Sequence, residues 1–400
     1  MSTSLPMSGI RVVELSTMVT ASFAAMMLAD QGASVIKIEP PDIGDPMRYL
    51  GAAKGGIAAL FANCNRGKQS IGIDIRKPEG RDVVIELAAR ADVLVHNFRP
   101  GVMDRLGMSA DVLQKANPKL IHAAISGFGE DGEHAGAPAY DHIIQAWTGF
   151  TGVQATTHGP EFMRTLVCDK ISAYTVCQAI TAALFRRERT GEAARINVSM
   201  RDASLFFLWP DGMMAHTLLD ADAVPGITIA MTYNAMPVRD GFISVAATVD
   251  KQWQGLLRAV GLADLLTDPR FATPVERAKH GAEIGAMLLA RLSELTVEEA
   301  MERLAAEDVP AAPCRDIADA VQNAEDDPFG PITTRQHPRM GAMRALNAPA
   351  RFDGERHLNA TPCPALGEQT EAVLASLGRT PEQILALCTA GVIAHMTETT

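Results

Sequence analysis

Between Ile10 and Ser126, short β-branched runs alternate with stretches in which apolar residues recur at helical spacing. RVVEL is followed by SFAAMMLADQG, then by SVIKIE, IGIDI, a helical pattern from Pro78 to Ala91, VLVHNF and LIHAAIS. Strands interleaved with helices predict an α/β fold with a parallel sheet, because each parallel step needs a crossover long enough to hold a helix. Gly32 after Gln31 marks the stop of the first helix, and Pro78 stands where a helix start tolerates a residue without an N–H.

Farther on, Leu166, Val167, Ile171, Tyr174, Ile180 and Leu184 predict a helix over Leu166 to Arg189, punctuated by Gly191. A strand, RINVSM, then leads into a helical pattern over RDASLFFLWPDGMMAHTLL. Around Asp220 to Gly226 the chain turns polar and rich in Pro and Gly, which divides it into a large part over 1–220, a small α+β unit over 227–320 and a returning part over 321–400. The small unit opens with a hairpin in MPVRDGFISVAA, turning at Asp240-Gly241. After Asp327, the prolines 328, 331, 338, 349, 362 and 364 predict an extended, loop-rich tail until helices return at Glu368 to Ser376 and Pro381 to Ala390. Neither repeats nor low-complexity tracts interrupt this order.

Composition narrows the function. With 400 residues and 47% hydrophobic content the chain buries a full core. Lys plus Arg number 36 against 47 Asp plus Glu, and the net charge of −11 argues against a nucleic-acid partner. An anionic ligand must therefore meet a local basic patch. The six cysteines are never spaced as C-x-x-C and form no zinc pattern with histidine, so reduced thiols and a cytoplasmic location are expected, with no metal. MSTSLPMSGIRVVEL enters a strand without a basic or apolar leader, and no apolar run is long enough for a membrane span.

One motif invites a nucleotide reading. Gly127, Gly129 and Gly132 in ISGFGEDGEHAGAPAYD match G-x-G-x-x-G, the dinucleotide fingerprint. That fingerprint belongs after the first strand and opens a helix whose N–H groups hold a pyrophosphate. Here it follows a late strand, carries Glu130 and Asp131 between the glycines, and runs into EHAGAPAY, which has no helical period. The first strand carries no glycine, and neither a P-loop nor a G-x-S-x-G elbow occurs.

Read together, other phrases carry a resemblance. SGIRVVELSTMVTASFAAMMLADQGASVIKIEPPDIGDPMR, NRGKQSIGIDIRKPEGR, ADVLVHNFRPGVMDRLG, SGFGEDGEHAGAPAYDHIIQAWTG, the Cys168-Asp169 helix start and LGEQTEAVLASLG resemble the family III CoA-transferases, in order from Gly9 to Val392. The resemblance implies a Rossmann-like large domain built from both chain ends, a small inserted domain and an interlocked homodimer. It also implies acyl-CoA and carboxylic acid substrates, coenzyme A as a transferred group rather than a bound cofactor, and no ATP.

By position the family's nucleophilic aspartate falls on Asp169, whose plain reading is a helix N-cap; helix N–H groups there would keep it ionised. A carboxylate suits thioester exchange, since its attack gives a mixed anhydride and frees CoA as a thiolate. Tyr140 and Gly129 match positions lining the acyl site, with Gly127, Gly132 and Gly136 as further candidates for close backbone approach. Met18, Ile73, Arg76, Asn97, Phe98 and Arg105 match CoA-lining positions, within a basic set that also includes Arg66, Lys68, Lys77 and Arg99.

The chain also departs from the pattern. Where formyl-CoA transferase-like members have a glutamine followed by Ala-Gly-Pro, it has Val19 and Thr20-Ala21-Ser22, and GITIAMTYNAM lacks their covering glycine loop. Val19 beside Met18 predicts a larger or less polar acyl group than formyl or oxalyl. The related α-methylacyl-CoA racemases carry a histidine where Tyr140 stands, so transfer is preferred over racemisation. A CoA-binding paralogue without catalysis is the third reading, against which Asp169 weighs.

Overall fold

The dense Val and Ile content of the first strands suits strands covered on both faces, as in parallel sheets. The computed structural model describes residues 5–394 apart from Ala221, Pro225, Ile227, Thr228, His357, Leu358 and Ala360. Its main sheet comprises β1 (Arg11–Leu15), β2 (Ser34–Glu39), β3 (Lys68–Gly72), β4 (Val93–His96), β5 (Ile121–Ser126) and β6 (Arg195–Ser199). All neighbours are parallel, in the order β3-β2-β1-β4-β5-β6. This is the doubly wound dinucleotide-fold order.

Helices carry the crossovers: α1 (Val19–Asp30), α2 (Ala59–Asn65), α3 (Pro78–Ala89), α4 (Val102–Arg105), α5 (Ala110–Ala116), α6 (Asp141–Thr148), α7 (Phe150–Val153), α8 (Val167–Thr190) and α9 (Met200–Leu208). Gly32 follows α1 with φ +103°, where a side chain would also press on Leu5. Pro78 opens α3, and Gly191 caps α8 in the left-handed region. None of the described helices is long and apolar enough to cross a membrane.

Contacts divide the chain into two compact units, Met1–Trp209 with Phe329–Thr400, and Pro210–Pro328. In the first, Val373, Leu374, Ile384, Val392 and Ile393 from the chain end share one core with Val13, Ile38, Ile71, Val84 and Leu94. The returning segment is thus part of the sheet's packing. The second unit has a three-stranded antiparallel sheet, Ala311–Pro313, Gly241–Val245 and Met236–Val238, whose Ile243 is buried with Leu257, Leu292, Ala300 and Leu304 of its helices.

Four local expectations change. The strand expected in IGIDI ends at Gly72; Ile73 instead bridges Ile393, and Asp74 N–H donates to Val392, so the returning chain end draws this stretch out of the sheet. The helix expected through RDASLFFLWPDGMMAHTLL stops at Leu208, two residues before Pro210, which has no N–H to continue the ladder. The tail is not simply extended: Ile332–His337 and Gly341–Leu346 form a hairpin, with Pro331 and Pro338 just outside the strands and Gly341 at φ +75°. In the small unit Val238 pairs with Gly241, so the turn is Arg239-Asp240. The start of that unit at 227, and two residues of GITIAMTYNAM, lie outside the described residues.

Candidate active site

A doubly wound sheet leaves a crevice outside the carboxyl ends of its strands where the winding reverses, here between β1 and β4. Two cavities lie at those strand ends, and Thr17, just after β1, lines both. The first, of 380 Å³, is mainly apolar, with Leu15, Ile38, Pro41, Ile73 and Phe98 in its wall and Arg76 at its margin. The second, of 370 Å³, contains Met18, Asn97, Gly127, Tyr140, Asp141 and Asp169.

Asp169 sits in the first turn of α8 but does not cap it; Leu166 holds the cap position. The cap group comes from another helix: Asp141 Oδ2 accepts the Asp169 N–H at 3.0 Å. Gln145, one turn along α6, donates to Asp141 Oδ1 at 2.5 Å and exchanges hydrogen bonds with the backbone at Met163 and Thr165. This knot fixes the start of α8 against α6. The expected helix-dipole stabilisation of the carboxylate does not prevail. Burial, and then the Asp141 charge, push the Asp169 carboxyl from its ordinary 3.8 up to about 7.

Thr17 is held from the β4 side. Asn97 Oδ1 accepts the Thr17 N–H at 3.2 Å, while its Nδ2 donates to Thr17 O at 2.6 Å and Thr20 Oγ1 at 2.9 Å. Behind the turn lies a buried charge network. Glu14 receives Lys37 Nζ and Lys68 Nζ, each at 2.7 Å, and although burial works against ionisation the two lysines bring its pKa down to about 2. Lys37 also pairs with Asp45 Oδ2 at 2.9 Å, without hydrogen-bond alignment, while Asp45 Oδ1 accepts from Met18 N–H at 3.2 Å and Met47 N–H at 2.9 Å.

Met18 is a backbone outlier, with φ 61° and ψ −162°. That region belongs essentially to glycine and costs a side-chain-bearing residue about 1–3 kcal/mol. In the fingerprint-like loop Gly127 is constrained by space, because a Cβ there would come within 2.2 Å of the Ala139 Cβ, and Gly129 and Gly132 by positive φ. Glu130 ties that loop to β6 by accepting from Asn197 at 2.7 Å and from Arg195. The loop runs to Tyr140 before α6 begins.

The residues singled out from the sequence separate accordingly. Ile73, Arg76 and Phe98 line the first cavity, and Met18, Asn97, Tyr140 and Asp169 the second. Arg105 lines neither; it lies exposed on α4 between Val102 and Leu106, which do line the first. Gly129 lies outside both cavities. Val19 faces the interior, 2% exposed and packed with Met47, Ile57 and Phe61, because it begins a helix buried against α2. Tyr140 is 63% exposed rather than half-buried, its ring parallel to that of His142.

The basic set separates too. Lys68 is buried and donates to Glu14, Ser22 O and Asn65, Arg66 pairs with Asp30, and Lys77 donates to Ala390 O. Arg99 lines the second cavity. Sequence reasoning missed Thr17, His142 and the part played by Asp141; its only signal for the last was the Asp141/Gln145 spacing of one helical turn. Among the described residues no cluster of three His, Cys, Asp or Glu is placed to hold a metal.

Comparison with known proteins shows the family. The CoA-transferase family III model matches residues 7–370. An acetyl-CoA:oxalate CoA-transferase of Acetobacter aceti is 35% identical over 319 residues, 79% of this chain and 82% of that protein. A probable fatty acyl-CoA transferase of Mycobacterium tuberculosis is 31% identical, over 92% and 98% of the two chains. The crystal structure of a CAIB/BAIF family protein from Brucella suis superposes with a TM-score of 0.81 at 31% identity, covering 94% of this chain and all of that one. The chain belongs to CoA-transferase family III and is an enzyme that transfers coenzyme A.

Proposed function

We propose that this enzyme moves CoA from an acyl-CoA donor to a carboxylic acid acceptor with Asp169 as its nucleophile. One observation carries the reading: a buried carboxylate in the wall of a cavity at the sheet's reversal point, beside a second, apolar cavity. Ionised Asp169 attacks the thioester carbonyl, the C–S bond breaks, and CoA leaves as its thiolate. The thiolate then attacks the aspartyl carbonyl, giving an aspartyl-CoA thioester and releasing the donor acid as a carboxylate. The acceptor carboxylate repeats the exchange in reverse and restores Asp169. Exclusion of water by the buried setting protects both anhydrides from hydrolysis.

In this reading the CoA arm follows Ile73 and Phe98, with Arg76 near its phosphates, and the thioester reaches Asp169 past Thr17. Met18, Leu166 and Met200 supply an apolar wall for the acyl group, a better basis for a group larger than formyl than the buried Val19. Exposed aromatic residues at Tyr174, Phe185, Phe206 and Phe207 support a homodimer, which sedimentation tests. Borohydride treatment after incubation with acyl-CoA, followed by peptide mass spectrometry, should modify Asp169 and leave Asp169→Ala unlabelled. Transfer that proceeds with no adduct on Asp169 sinks the mechanism.

One observation favours racemisation as the second reading: His142 lines the same cavity as Asp169 and offers an imidazole for the second face of an α-carbon. Deuterium entering a 2-methylacyl-CoA without any acceptor acid would establish it.

A further inference from the structure

A helix N-cap ordinarily takes extended backbone and accepts an N–H with its side chain. Met18 does neither, although it stands at the cap of α1. Helix formation therefore gives no reason for its glycine-type conformation. Its position gives one: Met18 is in the wall of the cavity that holds Asp169, next to the Thr17 that borders both cavities. Strain of this kind persists only where the surroundings impose it. Here Asp45 accepts the Met18 N–H, and Asp45 is itself held by Lys37 and by its own N–H donating to Glu39 Oε2 at 2.9 Å.

We propose that Asp45 is a positioning residue for CoA transfer, holding the Met18 backbone in the strained conformation that shapes the wall of the cavity it shares with Asp169. The proposal rests on the transferase reading for its kinetic test, but its structural content stands apart from it. Without Asp45, Met18 relaxes toward ordinary backbone angles, and the competent arrangement becomes a minor state. Lys37 keeps Glu14, Ser16 O and Ser22 as acceptors, so its charge is not stranded.

The test is a rescue cycle. Asp45→Ala should lower kcat about tenfold or more, with a smaller change in KM for the acyl-CoA. Asp45→Asn, which keeps an acceptor oxygen for Met18, should fall between. The discriminating comparison places Asp45→Ala in a Met18→Gly background, because glycine adopts the required angles without being held. There the loss caused by Asp45→Ala, measured against Met18→Gly alone, should shrink to less than about threefold. An equal loss in both backgrounds overturns the proposal. A crystal structure of Asp45→Ala with Met18 relaxed to negative φ supports it, and one with φ still near its original value overturns it. A wild-type enzyme that transfers CoA to no acid defeats the transferase reading and leaves this crystallographic outcome decisive.

Discussion

Replacing Asp169 by Asn should make the protein more stable at neutral and alkaline pH, by an amount that depends on pH in a defined way. The native carboxyl is raised to about 7 from 3.8, chiefly by burial and then by Asp141. Below both values the group is protonated in either state and contributes nothing. Between them the native state binds the extra proton, so stability falls as pH rises, and above about 7 the whole cost is present. The shift corresponds to about 4 kcal/mol at pH 8, about 2 kcal/mol at pH 5 and under about 1 kcal/mol near pH 4. Asparagine has no charge to bury, so the variant should exceed wild type by about those amounts in urea unfolding. In the proposed mechanism the same ionisation governs attack, so wild-type kcat/KM should rise about tenfold per pH unit on the acid side and level off near 7. A stability difference that is constant from pH 4 to 8, or a kinetic midpoint near 4, would refute the reasoning.

Asp141→Asn keeps an oxygen for the Asp169 N–H but removes the neighbouring charge, so the midpoint of the pH-rate profile should move to lower pH, read from kcat/KM between pH 5 and 8. Gly127→Ala forces a Cβ against Ala139 and should cost about 1–3 kcal/mol in denaturant unfolding while lowering turnover. Two cations from the same sequence cluster should behave oppositely. Lys68→Ala leaves Glu14 with Lys37 as its one buried cation and strips Asn65 Oδ1 of its donor, and should cost about 1–3 kcal/mol of stability. Arg76→Ala, at an exposed position, should leave the melting temperature unchanged and raise KM for acyl-CoA.

The two cations show where legibility ends. Arg66, Lys68, Arg76 and Lys77 look alike in NRGKQSIGIDIRK, yet Lys68 lies on β3 facing Glu14 on β1, whereas Arg76 stands beyond the strand end. Alternation along one strand does not say which other strand supplies the partner, here β1 on the far side of β2. Val19 failed for a similar reason: its place after β1 was correct, but the helix begins there and turns it inward.

The sequence by itself determined the alternation of strands and helices, the ends of α1 and α8, and the place of Asp169 in a helical first turn, because periodicity, proline and glycine act within a few residues. Strand order, which brings Asn97 onto Thr17 across 80 residues and Asp141 onto Asp169 across 28, came only with the tertiary structure. So did the elevated pKa of Asp169 and the strain at Met18, for both arise from burial and from charges contributed by distant segments. Local pattern sets which elements form; the packing of their ends decides which carboxylate is buried in a cavity wall with its pKa raised.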